Sequence, residues 1–403
     1  MHNIGSEFPN LGINVHGKPL VYFDNAATTL KPKAVIERLA QYYSFENANI
    51  HRGVHFLSEQ GTQNFETTRD LCQELINAKS RHEIIFTKGT TEAINLIAHS
   101  LGRYLLKKDD VILISTLEHH SNIVPWQLIS EILGAKIVEI PITDEAEINL
   151  EIFAKLLSDH PVKIVSTNHI SNAVGTINPI KKMIKMAHDK GAIFVVDGAQ
   201  SVPHMKVDVQ DLDCDFLAFS AHKMFGPTGV GVLYGKEKLL EAMPPYQGGG
   251  DMIDRVTIAK TTYNVLPHKF EAGTPIIAGV IAFAEAIKFI NQIGFDKISS
   301  IENSLLKLAD TELRKIPNLK ILGPEVARRS GVASFVIKDI HPHDLGTLLD
   351  QQGIAIRTGH HCTQPLMSRM QVTATARASF ALYNTESEIH FFIQALKKSL
   401  ELL

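Results

Sequence analysis

The chain has 403 residues, 44% of them hydrophobic and 21% charged, a globular composition long enough for two or three domains with well-developed cores. A net charge of −3, with no block or helical stripe of Lys and Arg, argues against nucleic acid or an anionic membrane as partner. No stretch reads as a transmembrane span or a secretion signal. Three widely spaced cysteines, Cys72, Cys214 and Cys362, argue against a disulfide framework and for a reducing cytoplasm.

In chain order, the first informative stretch is "FTKGTTEAINLIA", where Gly89, Thr90 and Thr91 open a helix predicted over 91–106. Their N–H groups and hydroxyls make either a plain helix cap or an anion cup suited to a phosphate. The run "VILIS" (111–115) predicts a strand, and "STLEHHSNIVPW" follows it. There His119 or His120 offers a flat ring that could stack on a cofactor and exchange protons. The pair lacks the i, i+4 spacing of a helical metal site, so no metal is expected.

A helix over 124–134 ends in glycine as a C-cap would, and "AKIVEIPI" and "KIVSTNHI" predict the next two strands. Asn172 falls just beyond the second, as a turn residue or as a donor to a ligand oxygen. A helix over 180–191, also ending in glycine, leads to "AIFVVD". This apolar strand ends on Asp197, with Gln200 three residues on. A carboxylate there is costly to desolvate, so it either fixes a loop or meets a cation such as a protonated pyridine nitrogen. The strand "DFLAFS" follows, and "SAHKMFGPTG" sets Lys223 beside His222, with Ser220 before it. A lysine stem among apolar walls has a lowered pKa and can bond covalently to a carbonyl.

After the strand "GVGVLYG", residues 248–270 predict a hairpin. Strands without polar alternation imply a sheet covered on both faces, and their alternation with helices implies a mainly parallel α/β sheet. Beyond about Phe289 the texture changes to a smaller α+β unit. Within it, "AIRTGHHCTQP" puts Cys362 in a polar loop where Arg357, His360 and His361 could favour thiolate. In "TATARASFALYN", Arg377 stands among small residues, either as a surface residue or as a clamp for a substrate carboxylate. By contrast, Cys72 and Cys214 lie among apolar residues and read as structural thiols. A phosphate cup, a strand-end Asp and a strand-end Lys, in that order, match the three handles of pyridoxal 5′-phosphate.

Together, "GKPLVYFDNAATT", "ANIHRGVHFLSEQ", "KGTTEAINLIA", "LEHHSNIVPW", "VVDGAQS", "SAHKMFGPTG", "FEAGTP", "RTGHHC" and "RASFALYN" resemble the class V aminotransferase family of fold-type I pyridoxal-phosphate enzymes. Within it the chain is similar to the group II, SufS-type cysteine desulfurases and to the selenocysteine lyases. The short "RTGHHC" segment favours group II over group I.

The resemblance implies a large domain over 19–289 built on a mainly parallel, seven-stranded-type sheet, and a smaller α+β domain made of 1–18 and 290–403. It makes Lys223 the covalent cofactor residue, His120 the ring-stacking residue and Asp197 the pyridinium partner. Asn172 and Gln200 would contact the phenolic oxygen. Thr91, Ser220 and His222 would hold the phosphate, with Thr274 reaching in from a second subunit of a homodimer. Arg377 would bind the substrate carboxylate, helped by Asn25 and Arg357, and Cys362 would accept the sulfur as a persulfide. The implied activity is conversion of L-cysteine, or L-selenocysteine, to L-alanine. Sulfur would pass to a SufE-like or SufU-like protein for iron–sulfur cluster assembly in the SUF system. A dedicated selenocysteine lyase is the alternative. Ala221 stands where such proteins often carry glycine.

Overall fold

The computed structural model describes residues 4–403; Met1–Asn3, at the start of the expected small unit, lie outside the described residues. Its centre is a seven-stranded sheet built from β1 (Ile84–Thr87), β2 (Val111–Ser115), β3 (Lys136–Ile140), β4 (Val162–Asn168), β5 (Ile193–Asp197), β6 (Phe216–Ser220) and β7 (Gly231–Gly235). The order is β1-β7-β6-β5-β4-β2-β3. Only β7 runs against its neighbours, β1 and β6. The other pairs are parallel, as a mainly parallel α/β sheet requires. Alternate residues serve opposite faces: Leu113, Val196 and Phe219 enter one core, and Ile112, Val195 and Ala218 the other. Burial on both faces is why these strands read as unbroken apolar runs. The edge strand β3 differs, exposing Lys136 and Glu139, and ends before Pro141, which has no N–H to pair.

Helices α1 (Phe56–Leu75), α2 (Thr90–Leu105), α3 (Val124–Leu133) and α4 (Ile180–His188) belong to this part of the chain. Gly134 caps α3 in the left-handed region at φ 72°, as its sequence position suggests. At α4 the expectation shifts: the cap is Asp189, and Gly191 turns the chain two residues later. Strand β1 was not anticipated. Four residues bordered by charged ones are too short to show a period.

The hairpin expected over 248–270 forms from β8 (Ile253–Val256) and β9 (Thr261–Tyr263). Helices α5 (Ile277–Ile293) and α6 (Phe295–Leu313) then bend by 79° and lead into a second sheet. Among the described residues no single helix is long and apolar enough to cross a membrane. The second sheet holds β10 (Leu319–Leu322), β11 (Val332–Ile337), β12 (Arg357–Gly359) and β13 (Thr375–Ser379), antiparallel in the order β10-β11-β13-β12. It packs on α6, α7 (Pro342–Asp350) and α8 (Glu386–Leu400) around its own core. Val21 and Phe23 join that core, because Val21–Tyr22 pairs in parallel with Ile354–Ala355. This pairing carries the following segment, from Asp24 to Thr29, across to the carboxyl ends of the central strands.

Candidate active site

Strands β4, β5 and β6 end side by side, Asn168 level with Asp197 and Asp197 level with Ala218. Ligands gather outside such strand ends. A cavity of about 310 Å³ lies there, within the usual range for a small-molecule site. From the central-sheet side it is lined by Thr91, His119, Asn172, Asp197, Gln200, Ser220, His222 and Lys223. From the C-terminal side come Arg357, His361, Cys362 and Arg377.

Lys223 ends a 3-10 turn (Ala221–Lys223) that follows β6 directly. Ala221 takes part in this turn without left-handed backbone, so its methyl group is accommodated. The turn is held from outside by Thr29 N–H and the Lys31 ammonium, which donate to His222 O at 3.1 and 2.8 Å. The Lys223 amine faces the cavity. Burial pushes it down to about 8, against the pull of Asp197.

Asp197 is buried and accepts a hydrogen bond from Ala199 N–H at 2.9 Å. Burial raises its pKa, and Lys223 opposes the rise. A buried carboxylate aimed at a cavity suits a cationic ring nitrogen.

At the start of α2, Ser220 Oγ accepts Thr90 N–H at 2.8 Å and shares a second hydrogen bond with the Thr90 hydroxyl. A Cβ on Gly231 would lie 2.3 Å from Gly89 Cα, so glycine there is what lets β7 sit against this cup. Thr91 and His222 complete its rim. Gln200 donates to Ala26 O at 2.7 Å, and Asn172 donates to His361 O at 2.9 Å, so both amides are oriented by backbone. A phosphate cup, a buried carboxylate and a depressed lysine amine thus fit pyridoxal phosphate at its three reactive ends. Among the described residues no group of three or more His, Cys, Asp or Glu could hold a metal ion.

Two residues, His120 and Asn25, stand elsewhere than expected. His119, not His120, lines the cavity. It caps the next turn through Nδ1, which accepts Ser121 N–H at 3.1 Å, and burial beside Lys223 pushes it down to about 4, leaving a neutral ring. His120 faces the Cys362 loop: its N–H donates to Cys362 O at 2.8 Å, its Nε2 accepts Gln364 N–H, and its ring lies 5.6 Å from that of His360.

Asn25 is buried, with its amide donated to Ser379 O at 2.7 Å and its Oδ1 taken by the Tyr383 hydroxyl, so it braces the segment and leaves the cavity to Ala26 and Ala27. Thr274 lines a separate cavity, about 470 Å³, beside Glu271 and Ile276.

Cys362 is exposed, whereas Cys72 and Cys214 are buried with thiols pushed up by burial. His361 and Cys362 both take left-handed backbone, φ 52° and 56°, which is unfavourable for side chains with a Cβ. The strain is held by hydrogen bonds from Asn172 to His361 O, from His120 N–H to Cys362 O and from Cys362 N–H to His360 Nδ1. His361 cannot supply the positive charge expected beside the thiol. Burial pushes its imidazole down to about 2, with Arg377 adding to the shift.

Arg377 is 2% exposed, donating Nη1–H to Asn172 O at 2.8 Å and Nη2–H to Asp24 at 3.2 Å. Arg357 forks onto the same Asp24. Asp24 and Glu118 carried no signal in the sequence. Asp24 was legible only as the neighbour of Asn25, and its two arginines lie 333 and 353 residues away. Glu118 is fully buried; it accepts the Ser115 hydroxyl and Asn122 Nδ2–H, and burial raises it to about 8.

Residues 21–392 match the family Aminotransferase class-V. A probable cysteine desulfurase of Halalkalibacterium halodurans is 50% identical over 400 residues, 99% of this chain and 98% of that protein. Among solved structures, the cysteine desulfurase of Thermococcus onnurineus superimposes with a TM-score of 0.92 at 40% identity, covering 95% of each chain. CsdA, a cysteine desulfurase of Escherichia coli, gives a TM-score of 0.92 at 39% identity, covering 99% of this chain and 98% of that one.

Proposed function

We propose that this chain, which belongs to the Aminotransferase class-V family, is a cysteine desulfurase that takes the sulfur of L-cysteine onto Cys362 and releases L-alanine. Its cofactor is pyridoxal 5′-phosphate. The observation that carries the reading is the meeting of the exposed Cys362 thiol with Lys223, Asp197 and Arg377 in one cavity.

When bound, the cofactor supplies an electron sink that weakens bonds at the substrate's Cα and Cβ. Asp197 would hold its ring nitrogen, His119 would face its ring, Asn172 and Gln200 its phenolic oxygen, and Thr91, Ser220 and His222 its phosphate. His119 replaces His120 in this assignment because it is the imidazole at the cavity wall. Arg377 would fix the substrate carboxylate, which orients the Cα–H bond toward Lys223. With its amine titrating near 8, Lys223 can accept the Cα proton at Nζ and return one to carbon. The Cys362 sulfur bonds to the substrate's Sγ as the Cβ–Sγ bond breaks. Cβ gains a proton, so one sulfur atom moves from cysteine to the enzyme and alanine leaves.

The exposure of Cys362 supports onward transfer to an acceptor protein, SufE-like or SufU-like, for iron–sulfur cluster assembly. We also place L-selenocysteine among the substrates. A homodimer accords with Thr274 standing outside its own chain's site and with exposed Ile258, Tyr263 and Val265 on and beside the hairpin. The division into 19–289 and 1–18 with 290–403 is kept in outline: the smaller unit has a core of its own, but Val21 and Phe23 join it, while Phe8, Leu366 and Leu382 pack in the larger core.

Mass spectrometry of the holoenzyme after exposure to L-cysteine tests the reading. One added sulfur atom is expected on the peptide carrying Cys362, and none in Cys362→Ala, which keeps its bound cofactor. Sulfur on Cys72 or Cys214, or normal alanine release by the variant, would sink it.

A further inference from the structure

The hydroxyl of Thr28 stands between two acceptors on one residue. It lies 3.0 Å from His222 O and 3.2 Å from His222 Nδ1, and it has a single proton for the two. His222 O is already engaged, by the Lys31 amine at 2.8 Å and by Thr29 N–H at 3.1 Å. Burial pushes Lys31 down to about 7, and with or without its extra proton the amine has N–H bonds to give. A carbonyl oxygen has two lone pairs, so these two donors fill it. The Thr29 hydroxyl, 3.2 Å from the same oxygen, accepts Phe225 N–H at 2.8 Å. The His222 imidazole is neutral: burial pushes it down to about 4, with the charges of Lys223 and Lys31 adding to the shift. One ring nitrogen therefore carries a proton and the other a lone pair. Nδ1 faces Thr28, while Nε2 has no partner among the described residues, and the residue lines the rim of the cup at the start of α2.

We propose that Thr28 is a positioning residue for the cofactor: its hydroxyl donates to His222 Nδ1, which fixes the ring proton on Nε2 and offers an N–H to the phosphate. The inference rests on the reading that His222 holds the phosphate. In the opposite tautomer Nδ1–H would donate to Thr28, the Thr28 proton would be left to an oxygen whose lone pairs are taken, and Nε2 would present a lone pair to an anion. A hydroxyl that does not line the cavity thus decides whether the ring attracts or repels the phosphate.

Cofactor-free protein titrated with pyridoxal phosphate and with pyridoxal, which lacks the phosphate, tests this. In Thr28→Val, which keeps the shape and removes the hydroxyl, pyridoxal phosphate should bind about tenfold more weakly, the worth of about one hydrogen bond, while pyridoxal binds as before. Thr28→Ser should restore the wild-type ratio. Equal weakening of both ligands, as a merely structural loss gives, would overturn the proposal, and so would two unmoved constants. His222→Ala separates the two readings. A preference for pyridoxal phosphate that survives it means that His222 does not hold the phosphate, and the inference falls with that reading. A preference that needs His222 but ignores Thr28 overturns the inference alone. Neutron diffraction from the wild-type holoenzyme poses the question without any variant. Deuterium is expected on Nε2, with the Thr28 hydroxyl aimed at a bare Nδ1; deuterium on Nδ1, alone or together with Nε2, refutes the assigned tautomer.

Discussion

The amine of Lys223 must be neutral to attack an aldehyde, so its titration sets how fast the protein captures its cofactor. With a pKa of about 8, roughly one-tenth of the amine is free at pH 7, against about 0.03% for a lysine at 10.5, a gain of about 300-fold. The assay mixes cofactor-free protein with pyridoxal phosphate from pH 6 to 10 and follows the visible absorbance of the bound form. A free lysine amide run alongside removes the cofactor's own titration. The rate constant should rise about tenfold per pH unit below 8 and level off above it. In Asp197→Asn the levelling should move to lower pH, because the anion that favours the ammonium form is gone. Levelling only above pH 10 would refute the argument that burial poises this lysine. So would visible absorbance surviving dialysis in Lys223→Ala.

Glu118 keeps its proton in the folded state up to about pH 8, whereas its unfolded carboxyl ionises near 4.5. Between those values the folded form binds more protons, so stability falls as pH rises, by about 2 kcal/mol from pH 6 to pH 8 on account of this group. Glu118→Gln should remove that part of the slope in urea denaturation; an identical slope would contradict a neutral Glu118. Arg69 is fully buried between Glu66 and Glu271, which it meets at 3.0 and 2.7 Å. Arg69→Met leaves the largely buried Glu271 without its cation, while Glu66 keeps His51 and Arg81, and should cost about 3–5 kcal/mol at pH 7. Adding Glu271→Gln should recover part of the loss, and a cost below about 1 kcal/mol would rule out a paired interior.

The central strands were legible because burial on both faces makes each a continuous apolar run, as in "VILIS" and "DFLAFS". Asp197 and Lys223 were legible for a related reason: a charged residue directly after such a run has to serve something. The short β1 was not, nor was the choice between His119 and His120, which local sequence treats as equivalent. One backbone turn separates them, sending the first ring into the cavity and the second toward Cys362.

Asn25 shows the limit most plainly. Its place in "DNAATT" pointed to substrate, yet its amide is spent on Ser379 and Tyr383, some 350 positions along the chain, while silent Asp24 beside it holds both arginines. The sequence by itself determined the α/β sheet, the order of the strand-end groups and the unusual setting of Cys362, because those follow from periodicity and from the cost of burying charge near at hand. Which histidine faces the cavity, which histidine near the thiol stays neutral and which carboxylate governs the arginines were decided only by tertiary structure. Those properties depend on desolvation and on partners hundreds of residues away, and neither is encoded in local order.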